Sequence, residues 1–143
     1  MEVYIDKPNG KQKVLLDSKL FTIDPADLDR AMCNIGAHLV ECGSIEAELR
    51  MEVARKEASL EKLEADKDAD IRMAAKSSSD RLTEAKVKSL IVSSPEYEGA
   101  IASLHESNRN ANIMRWVMVA LQKKADCLLS MSYRETKLIR LEK

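Results

Sequence analysis

Residues 44–76, SIEAELRMEVARKEASLEKLEADKDADIRMAAK, decide the fold. Ile45, Leu49, Val53, Leu60 and Leu63 recur at steps of three, four or seven residues, which puts them on one face of an α-helix while charged side chains fill the rest. Ala, Leu, Met, Glu and Lys supply most of the chain, and these residues lose little conformational freedom on entering a helix. A stripe this narrow has the character of a coiled-coil seam rather than of a fully buried core helix.

Working back from this stretch, Leu28, Met32, Ile35 and Leu39 keep helical spacing as far as Cys42-Gly43-Ser44, where Gly43 permits a break and Ser44 can cap a new helix beyond it. In FTIDPADLD (21–29), Asp24 can accept from backbone amides and Pro25 suits a first helical position, so a helix is expected to start there. Before it, EVYID and KQKVLLD flank a Pro8-Asn9-Gly10 turn signal and predict a small hairpin or extended arm.

Working forward, SSSD (77–80) reads as a linker. RLTEAKVKSLIVSS (81–94) predicts a short helix capped by Thr83, with Leu82, Val87, Leu90 and Ile91 available for packing. Ser94-Pro95-Glu96 restarts the helix with a cap, a proline and an acid against the dipole. The apolar stripe then runs through Ile101, Leu104, Ile113, Val117, Leu121, Leu128, Met131 and Leu138 without Gly or Pro after Gly99, and Asn108, Asn110 and Asn112 mark a polar crossing or bend.

These segments assign a mainly α fold, in which long amphipathic helices form an oligomeric assembly behind a small N-terminal arm. The expected organisation is a single helical domain: an arm over 1–23, long helices over 24–80 with a break near 43, and a short helix plus a long C-terminal helix over 81–143. With only 3% aromatic residues, the core has to be built from Leu, Ile, Val and Met on helix stripes.

The residues argue against an enzyme. His38 and His105 have no metal-ligand spacing, Cys33, Cys42 and Cys127 form no CxxC, and Gly10, Gly36, Gly43 and Gly99 make no phosphate-binding loop. Glu61, Glu64, Asp66, Asp68 and Asp70 lack the spacing of a calcium loop and read as a solvated face. No metal or cofactor is expected. Three unpatterned cysteines point to a reducing cytoplasm, and the absence of a leader pattern or a long apolar run to a protein that is neither secreted nor membrane-spanning.

The net charge of −1 hides an asymmetry, because residues 109–143 carry 8 basic and 3 acidic side chains. Arg50, Arg55, Lys56 and Lys62 accompany the stripe of the charged helix, and Arg109, Arg115, Lys123, Lys124, Arg134, Lys137 and Arg140 recur along the last one. Cations at such intervals can track phosphates without reading bases. Tyr97, Trp116 and Tyr133 offer faces on which bases could stack, although helix packing is the commoner use of such residues.

Read in order, KVLLDSKLFTIDPADLDRA, SIEAELRMEVARKEASLEKL, RLTEAKVKSLIVSSPEY and the closing KKADCLLSMSYRETKLIRLEK together resemble the UvsY family of bacteriophage recombination mediators, over roughly residues 13–143. The resemblance implies a homo-oligomeric, single-stranded DNA-binding protein of an infected bacterial host's cytoplasm that helps load a recombinase onto DNA covered by single-strand-binding protein. It also implies that Arg50, Arg55, Lys56 and Lys62 meet the DNA. Lys123 and Lys124 join them as candidates from the basic last helix, and Val117, Leu121, Leu128, Met131 and Leu138 are the expected oligomerisation residues. The rival reading of the same helices is a phage assembly protein or an inhibitor of a host defence complex, acting through protein contacts.

Overall fold

A computed structural model describes the backbone of residues 2–7, 10–15, 17, 20–78 and 83–141, and the side chains of 17, 20–76 and 83–137. The fold is mainly α. Strands β1 (Glu2–Lys7) and β2 (Gly10–Leu15) pair antiparallel with Lys7 opposite Gly10. Beyond them lie three helices: α1 (Leu28–Ser78), α2 (Glu84–Val92) and α3 (Pro95–Leu141). The Pro8-Asn9 turn, the end of the SSSD linker and Leu82 lie outside the described residues.

The local start signals act as their chemistry requires. Asp24 Oδ1 accepts from the Ala26 amide at 2.9 Å, and Pro25 opens a 3-10 turn (Pro25–Asp27) that feeds α1. Thr83 Oγ1 accepts from the Lys86 amide at 3.3 Å and starts α2. The Ser94 hydroxyl faces the Tyr97 amide at 3.4 Å, ahead of Pro95, and starts α3.

The expected break at Gly43 does not occur. Helix α1 passes straight through it, and Ser44 is an exposed mid-helix residue instead of a cap. Glycine weakens a helix by roughly 1 kcal/mol, a cost that packing on both sides outweighs. Met118 covers the site: a Cβ placed on Gly43 would lie 3.5 Å from Met118 Cε, in ordinary contact. The asparagines likewise leave α3 continuous. Asn110 is buried there and has a hydrogen-bonding or ionic partner.

The chain forms two compact units, Met1–Leu49 with Asn110–Lys143, and Arg50–Arg109. In the first, Cys42 and Leu49 from α1 pack with Met114, Val117 and Leu121 from α3, and Leu20, Ile35, Leu39, Ile45, Ala111, Ile113 and Met118 close around them. Burial, with a smaller contribution from Glu41, raises the Cys42 thiol above its ordinary range, so it behaves as a small apolar side chain.

In the second unit Val87 and Ile91 of α2 are buried, and α1 and α3 run antiparallel: Glu52 meets Ser107, Lys56 meets Ser103 and Ser107, and Lys67 meets Glu96. The Arg72 guanidinium bonds Asp68 at 2.7 Å and both oxygens of Glu84 at 2.8 and 2.9 Å, tying α2 to α1. Its hydrogen bond holds the Asp68 carboxyl below the ordinary carboxylate range. Glu96 is lowered first by its own backbone amide at the start of α3 and then by Lys67.

Candidate nucleic-acid interface

A helix has one phase, and the residues buried along α3 fix it. Met114, Val117, Leu121 and Leu128 face the core of the first unit at 0, 5, 0 and 1% exposure. At 3.6 residues per turn, positions 116, 123, 130, 134 and 137 then point the other way. Accordingly Trp116 is 71% exposed and Tyr133 78% exposed, and Arg115, Lys123, Arg134 and Lys137 are exposed with them. Between residues 115 and 137 this helix carries two carboxylates, Asp126 and Glu135.

The outward face is not smooth. Phe21, Ile113, Trp116, Val117 and Ala120 line an open, nearly all-apolar groove. Ile23, Lys123, Asp126, Cys127, Ser130, Met131 and Arg134 line a second, and Tyr133, Arg134, Thr136 and Lys137 a third. From Trp116 to Lys137 the helix covers about 32 Å at 1.5 Å per residue. Lys124 fixes the other wall: its ammonium donates to the Leu20 carbonyl at 2.8 Å and holds the segment that brings Phe21 and Ile23 to the grooves.

The candidates named from the sequence separate by role. Arg50, Arg55 and Lys62 are exposed on α1, and Lys123 is exposed on α3. Lys124 is half-buried and positions residue 20 instead of facing solvent. Lys56 is also taken up internally: its ammonium lies 2.9 Å from the Glu52 carboxylate and 2.6 Å from the Ser107 hydroxyl, which itself donates to Glu52. Glu52 is buried, so Lys56 neutralises a charge inside the fold.

The oligomerisation residues require a correction. Val117, Leu121 and Leu128 are spent in the chain's own core and offer no surface to another copy, and Met131 is half-buried. The side chain of Leu138 lies outside the described residues. Trp116 and Tyr133 carry the opposite surprise, because the exposed face includes two rings expected to pack. Tyr97 is half-buried; desolvation and then a hydrogen bond with Glu64 raise its phenol above the ordinary range.

Among the described residues, no three His, Cys, Asp or Glu side chains gather where a metal ion could be held, and no helix is long and apolar enough to cross a membrane. The buried side-chain nitrogens and oxygens among them all have partners. In comparisons with protein-family models, curated proteins and solved structures, the chain matches none.

Proposed function

We propose that this protein binds single-stranded DNA along the outward face of α3 and acts as a recombination mediator, handing the strand to a recombinase in competition with a single-strand-binding protein. The observation that carries the reading is the exposure of Trp116 and Tyr133 on a face that also bears Arg115, Lys123, Arg134 and Lys137. Exposed rings cost a soluble protein hydration free energy unless they are covered in use, and rings spaced among cations match a ligand made of flat bases and phosphates.

Each part of the face has a task. The cations draw the strand in and track its backbone, while Trp116, with Phe21 at the same groove, receives a base. No base edge needs to be read, which suits a protein that must act on any sequence. The mediator role comes from the ordered resemblance of the segments to the UvsY family. A site built of several modest contacts also releases its strand readily to a tighter binder.

The test is fluorescence anisotropy of a labelled single-stranded oligonucleotide at two salt concentrations. Binding is expected at low salt and should weaken steeply as salt rises, with a slope of about −0.7 per phosphate contacted. Trp116→Ala and Tyr133→Ala should each weaken binding by about 1–3 kcal/mol. Absence of binding at low salt removes this reading.

A further inference from the structure

The inward face of α1 is matched by a second periodic face outside. Val40, Ser44, Ala47, Met51, Ala54 and Ala58 succeed one another at alternating steps of four and three residues, with Ala65 one heptad on. All seven are exposed, Val40 by 76% and Met51 by 62%. A mean step of 3.5 is the repeat of a helix that supercoils with another helix, and alanines at such a seam allow close approach. Only the periodicity of this one continuous helix enters.

The charges beside the seam select the partner. One flanking heptad position reads Glu41, Glu48, Arg55, Lys62, acids in its first half and bases in its second. The other flank carries Arg50 and Glu57. All six are exposed.

We propose that this face pairs with the same face of a second copy of the chain, the two α1 helices running antiparallel about a twofold axis between residues 52 and 53. Met51 then meets Ala54 of the second copy, Ala47 meets Ala58, and Val40 meets Ala65. Ser44 falls opposite Glu61, whose carboxylate can accept from its hydroxyl. In an antiparallel pair each flanking position faces itself, so Glu41 meets Lys62, Glu48 meets Arg55 and Arg50 meets Glu57, each twice by symmetry.

A parallel pair would set Arg50 against Arg55 and leave Glu57 with Lys62 as its one attraction, so the charges specify direction as well as partner. The overlapping segment spans 26 residues, about 39 Å. This pairing does not rest on the nucleic-acid reading.

Charge swaps test it. Glu41→Lys with Glu48→Arg makes the flanking position basic throughout, and Arg55→Glu with Lys62→Glu makes it acidic throughout. By sedimentation velocity each double variant alone should show half the wild-type mass, and an equimolar mixture should regain it. The quadruple variant, which exchanges the two halves, should keep the wild-type mass unaided. The proposal is overturned by a wild-type protein that sediments at the 16.0 kDa of one chain, by double variants that keep the wild-type mass, or by a mixture that stays dissociated.

Discussion

Replacing Lys56 by alanine is expected to destabilise the protein by about 2–3 kcal/mol, whereas Arg55→Ala beside it should change stability by no more than about 0.5 kcal/mol. The difference lies in what each cation leaves behind. Glu52 keeps only 8% of its side chain in solvent, and Lys56 and the Ser107 hydroxyl both bond it. Without the ammonium, a buried carboxylate keeps a single hydroxyl donor among these contacts. Removing one partner of a buried pair costs about 3–5 kcal/mol, and the 22% exposure of Lys56 brings the figure to the lower end or below it.

Chemical denaturation of the two single variants measures this directly. Glu52→Gln combined with Lys56→Met should regain most of the loss, since it removes both charges while Gln keeps an acceptor for Ser107. A Lys56→Ala variant as stable as wild type would mean that the lysine is a surface cation after all.

Leu121→Ala should cost about 3–4 kcal/mol, and Leu121→Asp should leave the first unit unable to fold. Leu121 is fully buried among Cys42, Leu49, Met114 and Val117, so truncation opens a cavity in the middle of the cluster. The prediction separates two roles for the same residue. A subunit contact made polar gives a well-folded chain of smaller mass. A core residue made polar gives loss of helicity and of the cooperative thermal transition, which circular dichroism would register.

The elements that were legible in the sequence are those whose causes are local. Asp24-Pro25, Thr83 and Ser94-Pro95 announce helix starts because a cap acts within three residues of itself. The stripe through Leu49 is readable because burial tracks helical phase. Gly43 misled because its cost is local while the compensation comes from Met118, 75 positions away in the chain. Lys56 misled for the same reason: its charge is visible, but Ser107 and the depth of Glu52 belong to the tertiary fold.

Trp116 was within reach. Once Val117 and Leu121 are taken as core, the helical phase sends Trp116 to the far side, and only the general habit of tryptophan to pack argued otherwise. The outer seam of α1 was hidden by its own composition, since alanines register weakly as an apolar pattern beside Leu49 and Leu60. The tasks of the long helices are accordingly exchanged. The sequence assigned assembly to the last helix and DNA to the charged one. With Leu121 and Leu128 buried and Trp116 exposed, α3 is the better placed for DNA and the outer face of α1 for a second copy.

The most direct test of that assignment uses the chain's single tryptophan. Trp116 emission is monitored while unlabelled oligothymidylate is added at low salt and is then displaced by salt. Stacking on the ring predicts saturable quenching that salt reverses, and no quenching by free mononucleotide at matched absorbance. An unchanged emission while anisotropy shows the oligonucleotide to be bound would place the DNA elsewhere and contradict the account.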